Sequence, residues 1–124
     1  LQGVLASAPT AIFWIEAVRD ADQPERIVDF SFTLFNAHTV GLTHRPAAEL
    51  HAQRLRHLFP HLENTGLFDD YVRVVETGEP LQRDVFYDWD GVSGWFNVQA
   101  ARHDDGVVVQ VLDVTERKRA EQEV

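Results

Sequence analysis

The plainest periodicity in the chain begins at Ile27, where Val28, Phe30, Phe32 and Leu34 alternate with Asp29, Ser31 and Thr33 in the two-residue repeat of a half-buried strand. Ahead of it, residues 11–18 form a run rich in β-branched and aromatic side chains that ends in the polar, proline-containing stretch 19–25. The two segments predict an antiparallel pair joined by a loop carrying Asp20, Asp22 and Pro24. From residue 36 to 58 the texture changes: Gly41 and Pro46 punctuate short helical pieces, and residues 46–50 suit a helix with proline in its first turn. After Pro60, Leu67, Phe68, Tyr71, Val72, Val74 and Val75 recur at helical spacing over residues 65–77, and Gly78 follows where a left-handed cap belongs. Three strand-like runs come next, at residues 81–89, 95–103 and 107–114. Asp105-Gly106 predicts a tight hairpin between the last two, and Asp90-Gly91 with Ser93-Gly94 a looser turn before them. Two strands, several short helices, a longer helix and three strands make an α+β arrangement, with helices over one face of an antiparallel sheet.

The last strand runs straight into residues 115–124, which are polar almost throughout and contain neither Gly nor Pro, the pattern of a helix leaving the domain. Asp113 and Glu116 have capping-box spacing, with Thr115 an alternative cap. Arg117 with Glu121 and Arg119 with Glu123 are opposite-charge pairs one turn apart, worth ~0.2–0.5 kcal/mol each on an isolated helix. Its apolar residues are only Ala120 and Val124, so the helix is marginal alone and a partner helix would stabilise it. From the residues themselves, a frayed tail and an output connector are equally good readings.

Composition narrows the function. At 124 residues and 44% apolar content the chain has room for one domain with one core. Twenty acidic against 11 basic residues give a formal charge of −9, which repels phosphate backbones and anionic lipids, and the triplet Arg117-Lys118-Arg119 is offset by Glu116, Glu121 and Glu123. Nucleic acid and membrane surfaces are therefore not expected partners. The absence of cysteine removes disulfides, thiolate nucleophiles, Cys-ligated zinc and cysteinyl–flavin photochemistry. No apolar run approaches the 18 or so residues that span a bilayer. A chain that starts with Leu1 fits an excised piece of a larger protein.

Candidate chemistry has simpler accounts. His57 and His61 share the i,i+4 interval of a metal-binding helix face, but Pro60 breaks that helix, and a solvated loop rather than a metal site is expected. The carboxylate pairs Asp69-Asp70, Asp88 with Asp90, and Asp104-Asp105 fall at a helix start and at turns, where they favour the dipole or the turn without catalysis. Trp14, Trp89, Trp95, Phe13, Phe30, Phe32, Phe68 and Phe86 are core or sheet-surface aromatics first and ligand contacts second.

The order of short motifs is specific where none is alone. Asp113-Val114-Thr115 followed by Glu116-Arg117-Lys118-Arg119-Ala120-Glu121 resembles the Asp-Ile/Val-Thr motif and exit helix of PAS domains in bacterial signalling proteins. Leu5-Ala6-Ser7-Ala8-Pro9, Phe35-Asn36-Ala37, Glu49-Leu50, Leu58-Phe59-Pro60, residues 71–80, Gly94-Trp95-Phe96 and residues 105–109 extend the resemblance over nearly the whole chain. It implies a five-stranded antiparallel sheet with short helices on one face enclosing a small pocket, a sensory domain over residues 1–114, and the start of a signalling helix at 115–124. The implied role is sensing or dimerisation in the cytoplasm, not catalysis, as a homodimer whose effector lies beyond residue 124 in the same polypeptide, a histidine kinase or a cyclic-dinucleotide enzyme. Asp113, Thr115, Glu116 and Arg117 are the expected transmission junction, and Phe30, Phe32, Phe68 and Val72 the pocket candidates. The ligand stays unnamed. Haem-binding relatives generally take an axial histidine from the long helix, and residues 65–77 contain none; flavin-binding relatives carry an Asn-Cys-Arg-Phe-like stretch, whereas residues 52–57 here run Ala52-Gln53-Arg54-Leu55-Arg56-His57. A ligand-free structural dimeriser, and a cone-shaped α+β hydrolase or isomerase with a His or Asp facing its cavity, are the rival readings. Two departures bear on geometry. His44 after Leu42-Thr43, and Ala52 after His51, stand where relatives often carry glycine, and a side chain there resists positive φ.

Overall fold

The computed structural model describes residues 10–123. In chain order the elements are β1 (Ala11–Arg19), β2 (Ile27–Phe35), α1 (Ala37–Thr43), α2 (Ala47–Leu50), α3 (Leu55–Leu58), a 3-10 turn (Pro60–Thr65), α4 (Leu67–Thr77), β3 (Leu81–Trp89), β4 (Val92–His103), β5 (Gly106–Asp113) and α5 (Thr115–Glu123). The five strands make one sheet in the order β2-β1-β5-β4-β3, every neighbouring pair antiparallel. Helices α1 to α4 cover one face, so the expected α+β architecture is the observed one. The stretch Leu5-Ala6-Ser7-Ala8-Pro9 and the apolar Val124 lie outside the described residues.

A single core fills the space between sheet and helices. Ile15 from β1, Phe30 and Phe32 from β2, Val107 and Val109 from β5, and Leu50, Leu58 and Val74 from the helices are all essentially inaccessible. Helix α4 forms because its apolar residues recur every three to four positions; it ends where Gly78 takes φ 77° and donates its N–H to Val74 O at 2.8 Å. Asn36 caps α1 and ties it to β1: its Oδ1 accepts from Thr39 N and Ile12 N, both at 3.1 Å, while Nδ2 donates to Thr10 O at 2.9 Å.

The alternation read across β2 is interrupted twice. Trp14 pairs with Leu34 but Ile15 with Phe32, and Val18 pairs with Asp29 but Arg19 with Ile27, so Thr33 and Val28 are bulged residues. Each bulge adds one residue and reverses the facing beyond it. Ile27, Phe30 and Phe32 therefore point inward, whereas Leu34, expected on the same face, stands 65% exposed beside Trp14 on the outer side. The exposed edge of β2 is covered by residues 52–54: Ala52 N donates to Phe32 O at 2.7 Å and Phe32 N to Gln53 O at 2.9 Å, with a bridge between Ser31 and Arg54. That approach needs a reversal at Ala52, which adopts φ 61°; His44, ending α1, adopts φ 58°. The left-handed geometry that glycine would favour is retained at both positions without glycine.

Both hairpins also differ from expectation. Trp89 pairs with Val92 across a tight two-residue turn in which Asp90 and Gly91 both have positive φ, 58° and 81°, while Ser93 and Gly94 belong to β4. Between β4 and β5, His103 pairs with Gly106, so the turn residues are Asp104, at φ 51°, and Asp105. Gly106 is needed for another reason: a Cβ there would collide with Ile15 O and sit 2.8 Å from Trp14 Nε1, where β1 crosses close to β5.

Candidate functional site

Where β5 passes into α5, the sequence Asp113-Val114-Thr115 is wired into both elements. Val114 is buried; its N–H donates to Trp95 O at 2.8 Å, and its carbonyl accepts the Lys118 N–H at 3.0 Å. Asp113 Oδ1 accepts from the Thr115 backbone N–H at 2.9 Å and from its hydroxyl at 2.6 Å. The same hydroxyl oxygen accepts the Trp95 N–H at 3.0 Å. The choice between two caps resolves in an unexpected way: Asp113 closes a local turn onto Thr115, and the Thr115 hydroxyl binds helix to sheet. Gly94 makes room for it, since a Cβ there would lie 2.6 Å from Thr115 Oγ1.

One turn on, two cations converge on Asp84, on the outer face of β3. Arg117 Nη2 donates to Asp84 Oδ2 at 2.8 Å, Lys118 Nζ lies 3.0 Å from the same oxygen, and Asn97 Nδ2 donates to Asp84 Oδ1 at 2.9 Å. The Asn97 amide first, and Lys118 next, hold the Asp84 carboxyl below the usual carboxylate range. Lys118 Nζ also sits 5.0 Å from the centroid of the Trp95 ring. Helix α5 is thus fastened by polar and charged groups, with Ala120 exposed. Of the four expected junction residues, Asp113, Thr115 and Arg117 enter this network; Glu116 is exposed and makes no ion pair among the described residues. Asp84 and Asn97 were not singled out from the sequence, and Gly94 and Lys118 were noted there only for a turn, a motif and a charge triplet, not as parts of the junction. Gly94 beside Trp95 was a visible signal, but nothing local links Asp84 to a cation 33 positions away.

Between the sheet and the helices lies a cavity of about 80 Å³, walled by side chains that include Phe32, Leu55, Phe59, Tyr71, Tyr87 and Phe96. Of the pocket candidates, Phe32 reaches this wall. Phe30 and Phe68 are spent on each other, their rings edge-to-face with centroids 5.5 Å apart, and the Arg56 guanidinium covers Phe68 at 3.8 Å. Val72 is half-buried on α4, away from the cavity. Among the described residues the wall holds no histidine and no carboxylate. A flavin or haem does not fit: a cavity of about 150 Å³ takes a single benzene ring, and fused-ring cofactors need several times the volume present.

Each carboxylate pair has a member engaged in a structural contact. Asp70 meets Arg73 at 3.2 Å and Arg83 at 3.0 Å, and Asp105 takes both Arg19 nitrogens, at 2.7 and 3.0 Å, which holds its carboxyl low and clamps the β4–β5 turn to β1. Asp90 accepts from the Tyr87 hydroxyl, and its Oδ1 lies 2.9 Å from His61 Nδ1. Burial pushes the Asp90 carboxyl up, but the hydrogen bonds from Tyr87 and His61 outweigh it and hold it below its ordinary value. His61, its ring stacked on Trp89 with centroids 5.8 Å apart, is thereby a surface clasp. Among the described residues no three His, Asp or Glu side chains gather as a metal site would require, and no helix is long and apolar enough to cross a membrane.

Comparison with known proteins agrees with this architecture. No curated protein matches the sequence. Among solved structures, a domain of a sensory box sensor histidine kinase/response regulator from Geobacter sulfurreducens is similar, with a TM-score of 0.64 at 16% identity over 90% of each chain. The PAS domain of a Colwellia psychrerythraea protein gives 0.65 at 13% identity, covering 93% of this chain and 94% of that one. The PAS domain of nitrogen regulation protein NR(II) from Vibrio parahaemolyticus gives 0.58 at 14% identity, covering 90% and 94% respectively. A family model described as the PAS fold matches residues 28–119, from β2 into α5, and on that match the chain belongs to the PAS fold family.

Proposed function

We propose that this chain is a non-catalytic sensory and dimerisation module of a larger cytoplasmic signalling protein, with residues 1–114 the sensor and residues 115–124 the start of the output helix. It relays binding of a ligand or partner through α5 to an effector in the same polypeptide, of the histidine-kinase or cyclic-dinucleotide class. The observation that carries this reading is the fastening of α5. A helix that buries almost nothing, yet is tied to β4 by the Thr115 hydroxyl and to β3 by Asp84, has a docked arrangement that small changes in the sheet can release. An input must favour one arrangement over the other, because equal binding to both shifts nothing. Leu34, Phe86 and Leu112, large apolar side chains exposed on the outer face of the sheet, support a homodimer contact there. Among the described residues the cavity wall carries no histidine, carboxylate or amine, which favours sensing over catalysis. The formal charge of −9 argues against nucleic acid as the partner.

The test is output from the full-length protein carrying Asp113→Ala and Thr115→Ala. Altered output with the fold of this domain intact is expected; unchanged output would sink the junction reading. A ligand-free dimeriser differs only in whether the cavity is filled, and native mass spectrometry of freshly purified protein separates the two.

A further inference from the structure

The two edges of the sheet are unlike. The β2 edge is bulged twice and covered by residues 52–54. At the other edge β3 pairs with β4 in one unbroken register, from Leu81 with Ala100 to Trp89 with Val92, and among the described residues no backbone group of Leu81–Trp89 bonds to anything but β4. The tight turn fixes which groups are left over. Trp89 and Val92 flank two residues of positive φ, a turn that closes on a hydrogen-bonded pair, and such pairs recur at every second residue. Arg83, Val85 and Tyr87 therefore bond to β4, while Gln82, Asp84, Phe86 and Asp88 direct their N–H and C=O groups outward. The Trp95 carbonyl, bonded to Val114 N on the far side of β4, agrees with this phase. A nine-residue edge without proline, lysine or bulge is a template for another strand.

The side chains at the outward positions set which strand fits. On the outer face Phe86, 47% exposed, stands between Asp84 and Asp88, and Asp88 makes no ion pair among the described residues. A second copy of the chain, with the same acidic rail and a formal charge of −9, is repelled. A segment with cations opposite Asp84 and Asp88 and an apolar residue opposite Phe86 is attracted. Asp84 already faces Arg117 and Lys118, so an incoming cation is the third on one carboxylate and weakens the hold on α5. We propose that the β3 edge accepts an extended basic segment of a partner protein by strand addition, and that its cation opposite Asp84 competes with Arg117 and Lys118 and releases α5. The added strand lies in the plane of the sheet and leaves its outer face open. The release rests on the reading of α5 as the output helix.

The probe is the end-blocked peptide Thr-Lys-Thr-Val-Thr-Arg-Thr, whose Lys, Val and Arg fall opposite Asp88, Phe86 and Asp84 in an antiparallel pair. It is titrated into the chain by amide NMR, with hydrogen exchange read along β3 and at Lys118. The peptide should saturate, slow exchange at Gln82, Asp84, Phe86 and Asp88, and quicken it at Lys118. The same peptide with Glu in place of Lys and Arg should bind at least about 10-fold more weakly, two exposed attractions having become repulsions. A version N-methylated at Lys, Val and Arg, which leaves the protein untouched, should not saturate. Equal binding of the Glu or the N-methylated peptide overturns the proposal, as does failure of the basic peptide to saturate. Protection of the β3 amides that rises with protein concentration in the absence of peptide assigns the edge to a second copy and overturns it too. Saturation with unchanged exchange at Lys118 overturns the release, whereas the junction reading falls only on unchanged output from the full-length Asp113→Ala and Thr115→Ala protein.

Discussion

Replacing Thr115 with valine removes one oxygen from the point where sheet passes into exit helix, at nearly constant volume. That oxygen accepts from Trp95 N at 3.0 Å and donates to Asp113 Oδ1 at 2.6 Å. Asp113 loses little: its carboxylate is exposed and keeps the bond from the residue-115 backbone N–H at 2.9 Å. Trp95 loses more, because its half-buried N–H would be covered by a methyl group instead of an acceptor. One net hydrogen bond and part of the desolvation of an orphaned amide come to about 1–2 kcal/mol. Since α5 buries so little, the loss falls on its docking, a factor of roughly 5–30 in the ratio of docked to free helix. Hydrogen exchange at the Lys118 amide, whose acceptor is Val114 O at 3.0 Å, reads this directly. Exchange there should quicken by about that factor while amides of β1 stay protected, and Thr115→Ser, which keeps the oxygen, should exchange like the parent. Unchanged Lys118 protection in the valine variant, or equal loss in the serine variant, would refute the reasoning.

Three further outcomes are expected. Ala52→Gly should stabilise the domain by about 0.5–1 kcal/mol in a denaturant titration, because the left-handed conformation at φ 61° costs alanine ~1–2 kcal/mol and glycine returns part of the gain as chain entropy. Gly106→Ala should destabilise by about 3 kcal/mol, read as a lower thermal midpoint, since the new Cβ meets the β1 backbone at Ile15 rather than a side chain that can move. Asp84→Asn should loosen α5 at neutral pH, seen again at the Lys118 amide. The folded Asp84 carboxyl is held below 3.8, so its contribution is full above that value and is lost as pH falls through the depressed one; the difference between parent and variant should shrink over that acid range, and also in high salt.

Several features were legible because they depend only on near neighbours along the chain. The order of strands and helices, α4 with its Gly78 cap, and the start of a helix after Asp113 follow from two- and four-residue spacings and from the φ that glycine permits. The motif drew attention to Thr115 and Arg117, but not to the groups they contact, Trp95 and Asp84. The pocket assignment fared differently. Phe30 and Phe68 are apolar and inward-facing, as a pocket residue would be, but no local pattern distinguishes an aromatic that faces a void from one that faces another ring.

By itself, then, the sequence determined a single α+β domain, its element order, its acidic charge and the absence of thiol chemistry, all set by composition and short-range periodicity. Tertiary structure decided what depends on register and on approach across the sheet. The bulge at Thr33 turned Leu34 outward, the closeness of β1 made Gly106 necessary, and the alignment of β3 with β4 set Asp84 beside Asn97, within reach of Arg117 and Lys118. The packing of α4 against the sheet placed Tyr71 on the wall of the cavity. These are relations between residues dozens of positions apart, and a one-residue slip in pairing, invisible to any local pattern, would change each of them.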